Sequence, residues 1–107
     1  QVFLNLLNNA IDEIGSGGII EIGTAVQDDK LVAEFADNGQ GIKPEKLKRI
    51  FDPFFTTKDP GKGTGLGLYI SYDIVKKLGG TISVANRNSG GAIFTIVLPI
   101  NNLGSGR

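Results

Sequence analysis

The stretch Gly61-Lys62-Gly63-Thr64-Gly65-Leu66-Gly67-Leu68 constrains this chain more than any other. Glycines alternate at 63, 65 and 67, and only glycine lets a backbone turn that tightly and approach a ligand that closely. Tyr69, Ile70, Ile74, Val75 and Leu78 follow at helical spacing, which predicts a helix from about Thr64 to Leu78 that begins in the glycine turn. At a helix N-terminus, unpaired backbone N–H groups and the positive end of the dipole suit a phosphate. A plain hinge would use the same residues. The common nucleotide templates are not met: there is no Gly-x-x-x-x-Gly-Lys-Ser/Thr, and neither Gly39 nor Gly63 begins a Gly-x-Gly-x-x-Gly. A nucleotide bound here is held by another scheme, to which the rest of the chain must contribute.

The first such contribution is residues 1–14, QVFLNLLNNAIDEI, whose apolar positions repeat with helical period. Phe3, Leu7, Ala10 and Ile14 are expected on one face, with Leu6 and Ile11 beside them. Asn5, Asn9 and Asp12 are expected on the opposite one. A polar face is usually just solvated. This one is built from asparagines, each costing roughly 0.5 kcal/mol of helix propensity against Lys, Glu or Gln. Asparagine supplies a neutral carbonyl oxygen, a fair ligand for Mg²⁺, and an amide that is no strong base.

After a glycine turn at 15–18, residues 19–26 and 31–36 alternate as strands joined through the polar Gln27–Lys30, a predicted hairpin. Asp37-Asn38-Gly39-Gln40-Gly41-Ile42 follows at once. Such a run is ordinarily a turn. Here a second glycine and Pro44 argue for a strand end leading into a helix that starts at Pro44 and reaches Phe51. A carboxylate at the end of a strand beside glycines stands where ligands often bind, and can accept a hydrogen bond from an exocyclic amine. Residues 51–60, with three phenylalanines and two prolines, have no period. They read either as a mobile lid or as a long connection whose rings plug the core. Gly79-Gly80 stop the second long helix. Thr81–Asn86 and Ala92–Leu98 are predicted strands around an Arg87–Gly91 turn.

With 107 residues the chain is one domain, and its 16 glycines are about twice the ordinary share. Zero net charge gives no electrostatic case for nucleic acid or for direct contact with an anionic membrane. The absence of cysteine excludes disulfides and cysteine–zinc sites and fits a reducing, cytoplasmic compartment. No apolar run reaches the ~20 residues of a membrane span. The chain opens inside a helical pattern without methionine, and reads as a piece of a longer polypeptide.

Taken together, four stretches resemble the ATP-binding catalytic domain of bacterial sensor histidine kinases. These share a family with gyrase-type topoisomerases, MutL-type repair proteins and a heat-shock chaperone. QVFLNLLNNAIDEI is similar to the N box, DNGQGI to the first glycine box, FDPFFTTK to the F box and GKGTGLGL to the second glycine box. The resemblance spans residues 1–100, leaving 101–107 as an expected disordered tail, and implies an N-terminally truncated domain. The implied fold is an α/β sandwich of the Bergerat type, a mixed, largely antiparallel sheet covered on one face by helices.

The cofactors implied are ATP and Mg²⁺. Asp37 would bind the adenine amino group, with Gly39, Gly41 and Ile42 around the ring. Asn9 would hold Mg²⁺, with Asn5 near the γ-phosphate, the two forming the catalytic pair. Gly63, Thr64, Gly65, Leu66, Gly67 and Leu68 would meet the phosphates, and Pro53, Phe54 and Lys58 would belong to the lid. The implied activity is protein-histidine kinase, with two partners: a histidine-containing dimerisation and phosphotransfer domain, and a response regulator downstream. Two positions depart from the common pattern. Asp12 stands where many members have a basic residue, and Leu78 where a histidine often precedes Gly-Gly. An ATPase of the gyrase and chaperone class, or a non-catalytic nucleotide sensor, are the alternatives. The former uses a glutamate as base where this chain has Asn5.

Overall fold

A computed structural model of the chain describes residues 2–14, 17–53 and 67–100. The elements run α1 (Val2–Ile14), β1 (Ile20–Gln27), β2 (Lys30–Asp37), α2 (Pro44–Leu47), α3 (Gly67–Lys77), β3 (Thr81–Asn86) and β4 (Ala92–Pro99). The four strands form one sheet in the order β1-β2-β4-β3, and every pairing among the described residues is antiparallel.

The two hairpins have different turns for chemical reasons. Gln27 pairs with Lys30, leaving Asp28 and Asp29 as a two-residue loop, both at positive φ (52° and 63°) as a type I′ turn requires. Between β3 and β4 the longer Arg87–Gly91 turn is closed by the Arg87 N–H donating to the Gly91 carbonyl at 2.8 Å.

One face of the sheet carries the helices. Leu6 from α1 and Val75 from α3 pack with Ala33, Phe35, Ile82, Phe94 and Ile96 into a single core, with Ile42, Phe51 and Leu68 against its rim. Each such large side chain taken out of water contributes about 1.5–3 kcal/mol. On α1 the buried positions are Leu6 and Ala10, while Phe3 is 44 % and Ile11 50 % exposed. Of the stripe expected through Phe3, Leu7, Ala10 and Ile14, Ala10 is buried as expected, but the described part of the helix is rotated toward Leu6 and away from Phe3. That rotation follows from α1 packing against α3 as well as the sheet, with Phe3 left at the margin, edge-on to Phe35 at 5.1 Å.

The helix expected from Pro44 to Phe51 ends instead at Leu47. Lys43 offers no side-chain cap, and the chain continues as turns in which Arg49 N–H donates to Lys46 O and Asp52 N–H to Arg49 O, each at 3.0 Å. This tighter i to i−3 winding delivers Ile50 and Phe51 to the core, where Phe51 meets Phe94 and Tyr72. The end of α3 matches expectation. Gly80 N–H donates to Val75 O and Gly79 N–H to Lys76 O, with Gly79 at φ +82°, a Schellman stop.

Topology sets the polarity of the helices. β3 starts just after α3 and ends at Asn86, beside the start of β4 and the end of β2. So α3 points its N-terminus toward the end of the sheet that carries Asp37. Asn5 meets Gly67 and Ser71, whereas Val2 and Phe3 share an apolar groove with Ile74 and Leu78, so α1 and α3 run antiparallel.

Candidate functional site

Asp37 is the last residue of β2 and only 2 % exposed. Its Oδ1 accepts from the Gly39 N–H at 2.9 Å and from the Ala92 N–H at 3.3 Å. These donors come from opposite sides, one from the glycine turn and one from the start of β4. They fix the carboxyl group while its remaining lone pairs keep acceptor capacity. The β3–β4 turn closes over the Asp37 main chain. Gly91, at φ +83°, lies so near that a Cβ there would collide with the Asp37 carbonyl oxygen. Arg87 donates from Nη1 to that same carbonyl at 3.1 Å, and its Nη2 pairs with Glu21 at 3.0 Å. The guanidinium charge is therefore answered by Glu21, and the Asp37 carboxylate is left for another donor.

The glycine turn after Asp37 is held at two places. Asn38 prolongs the β1–β2 ladder: its N–H donates to Ile19 O at 3.2 Å, and its Oδ1 accepts from Ile19 N–H at 2.8 Å. Further on, Asn86 grips Ile42 by both peptide groups, accepting from its N–H at 2.8 Å and donating to its carbonyl at 2.6 Å. Gly41, at φ +80°, passes beneath, and a Cβ there would sit 2.8 Å from Asn86 Oδ1.

The second half of the site is the start of α3. Its first turn contains no acidic residue, and Lys76 and Lys77 lie in its last turn, so its polarity suits an anion at the N-terminus. Asn5, half-buried, donates from Nδ2 to the Gly67 carbonyl and to the Ser71 hydroxyl, each at 3.3 Å. Ser71, fully buried, donates in turn to Gly67 O at 3.0 Å. The Asn5 amide nitrogen is thereby committed to α3. Asn5 is thus no solvated residue on the face opposite the core; it joins α1 to the start of α3.

Of the residues singled out in the sequence, Asp37, Gly39, Gly41 and Ile42 come together at one sheet end, and Asn5, Gly67 and Leu68 at the start of α3. Asn9 is on α1 one turn beyond Asn5, and its side chain is not among those described. Lys58, Gly63, Thr64, Gly65 and Leu66 lie outside the described residues, as does the lid from Phe54 onward. Asn86, Arg87, Gly91 and Ser71 were not found by sequence reasoning. A strand-end asparagine followed by arginine was the only visible sign of the first two.

Residues 1–102 match the model of the histidine kinase-, DNA gyrase B- and HSP90-like ATPases. The chain belongs to that family. Among curated relatives it is 44 % identical to the sensor histidine kinase ZraS of Escherichia coli (strain K12), over 94 % of this chain and 21 % of that protein. It is 39 % identical to sporulation kinase C of Bacillus subtilis (strain 168), over 95 % of this chain and 23 % of that one. The chain therefore spans under a quarter of the length of either relative. Among solved structures it is similar to the nucleotide-free catalytic domain of histidine kinase ThkA, with a TM-score of 0.83 and 39 % identity over 92 % of this chain and 64 % of that one. It also matches full-length ShkA in complex with AMPPNP (TM-score 0.80, 29 % identity, 92 % of this chain and 20 % of that one). A third match is ThkA in complex with the response regulator TrrA (0.80, 33 %, 96 % and 28 %). The fold is that of histidine kinase ATP-binding domains, an open antiparallel sheet with helices on one face.

Proposed function

We propose that this domain binds Mg·ATP and donates the γ-phosphoryl group to a histidine on a separate dimerisation and phosphotransfer domain, as the catalytic part of a two-component sensor kinase. The observation that carries the reading is Asp37, a buried carboxylate fixed by Gly39 and Ala92 and flanked by close-packed glycines. Such a group matches an adenine amino donor. Gly41 and Ile42 border the ring, and the start of α3 receives the phosphates with the glycines at 63, 65 and 67. Lys58 would add a positive charge to them.

The residues on hand fit Mg²⁺ as a partner of the nucleotide. Among the described residues no three acidic or histidine side chains group together. A cation bound mainly through phosphate oxygens needs only a neutral protein oxygen or two, which Asn9 would supply. When bound, the ion neutralises charge on the transferring group. The chain's own part is positioning. Asn5 locks the N box onto α3, and an in-line nucleophile must come from the partner. Water is a poor substitute, because the amide of Asn5 cannot serve as general base. This separates the reading from an ATPase of the gyrase class.

The reading carries with it a cytoplasmic location and a response regulator as the next acceptor, the latter supported by the ThkA–TrrA complex. No helix of the described residues is long and apolar enough to cross a membrane.

Calorimetric titration tests the reading. Wild-type chain should bind ATP more tightly with Mg²⁺ than in EDTA, and Asn9→Ala should erase most of that difference while leaving the EDTA affinity nearly intact. An equal loss in both conditions would make Asn9 structural, and absence of ATP binding would overturn the function.

A further inference from the structure

Asn86 closes β3 directly opposite Ala92, the residue whose N–H holds Asp37. Its side chain leaves the hairpin and pairs with both peptide groups of Ile42, 44 residues away. The pairing copies the way two strands exchange hydrogen bonds, with one amide side chain standing in for a strand. It is short at both ends, 2.8 and 2.6 Å. Gly41 has no room for a Cβ against it.

The same hairpin holds the other wall of the base pocket. Arg87 reaches the Asp37 carbonyl, Gly91 packs on it, and Ala92 donates to its carboxylate. Residues 86–92 thus act on both Asp37 and the Gly41–Ile42 backbone.

We infer that Asn86 is a positioning residue for purine recognition, setting the Gly41–Ile42 backbone at the spacing from Asp37 that a 6-aminopurine requires. The inference rests on the adenine reading of Asp37 given above. Asp37 selects an amino group only if the ring is pressed to it from the far side, and misplacement by about 1 Å costs a large part of such an interaction. Gly41 has no side chain to fix its height, and Ile42's own side chain anchors it against the rim of the core rather than at its peptide groups. The Asn86 amide supplies that restraint from outside the turn.

Base selectivity provides the test, because a purely structural role would not move it. Affinities for ATP and for inosine triphosphate, which lacks the 6-amino group, are measured on the complete protein for wild type, Asp37→Asn, Asn86→Ala and Asn86→Asp. Thermal unfolding without nucleotide is recorded alongside. Wild type should prefer ATP, and Asp37→Asn should abolish the preference. Asn86→Ala should weaken ATP about tenfold, as expected for two lost hydrogen bonds, and reduce the ATP preference at least several-fold. Asn86→Asp keeps the acceptor for Ile42 N–H but sets a carboxylate against its carbonyl, and should fall between. It also decides the matter at low temperature should the alanine variant not fold. Equal losses for both nucleotides, with the preference intact, would overturn the role of Asn86 and leave the adenine reading standing. No ATP preference in wild type, or one that survives Asp37→Asn, would overturn the adenine reading and this inference with it.

Discussion

Asp37 can be tested at the level of a single atom. In Asp37→Asn the side-chain oxygen can still accept from Gly39 and Ala92, so the loop should keep its shape. Under the proposed reading, what is lost is the charge-assisted acceptor for the adenine amine, worth about 1.5–3 kcal/mol, or roughly ten- to a hundredfold in ATP affinity. Titration of the variant checks this, and unchanged affinity for ATP and ADP would remove Asp37 from the site. Asp37 was legible in the sequence because its signal is local, an acid at the end of an alternating run with glycines two and four residues on. Asn86, Arg87 and Gly91 were not. Their partners lie 44 to 66 residues away, across a strand pairing that no local spacing encodes. Asn5 stood between, conspicuous as an asparagine in a helix, with its bonds to Gly67 and Ser71 hidden until α1 and α3 were packed.

At the scale of elements, alternation along β2 and β4 carries Ala33, Phe35, Phe94 and Ile96 into the core, while the same face of β1 stays largely in solvent. Ile22 and Val26 share the face of Phe35 and Leu31, yet are 54 % and 68 % exposed. Alternation shows which way a side chain points, while coverage depends on what lies above it. Leu6→Ala, at 1 % exposure in the centre of the core, should therefore cost about 2–5 kcal/mol in denaturant unfolding. Val26→Thr should stay within about 0.5 kcal/mol. Comparable costs would mean that the β1 face is covered in solution. On α3, Lys77 is held above its ordinary 10.5, first by its hydrogen bond to Asp73 and then by that carboxylate's charge. A raised lysine stabilises the fold fully below its unfolded pKa and loses that contribution as pH climbs through the raised value. Asp73→Asn should thus lower the unfolding temperature slightly at pH 8, and the gap to wild type should close in strong alkali. A gap that widens at high pH would contradict the pairing.

For the whole molecule the decisive fact is an absence in composition: the chain contains no histidine. Under the proposed reaction it cannot be its own acceptor, so the phosphoryl group must leave for a histidine on another segment of the polypeptide or on another chain. Transfer of a phosphoryl group depends chiefly on positioning and charge stabilisation, so bound ATP without an in-line nucleophile should persist. Under the same reading Asn5 would not activate water. The Asn5 amide nitrogen is tied to Gly67 and Ser71, and its remaining oxygen is a weak base. Incubated with γ-labelled ATP and Mg²⁺, these 107 residues alone should therefore bind nucleotide, hydrolyse it barely above background and retain no label. Adding the histidine-bearing domain in trans should place acid-labile, base-stable label on that domain, and Asp37→Asn should reduce its appearance in step with the lost ATP affinity. Rapid hydrolysis by the isolated chain would overturn transfer in favour of the ATPase reading. Label on the chain itself would require a nucleophile other than imidazole and would break the histidine assignment at its root.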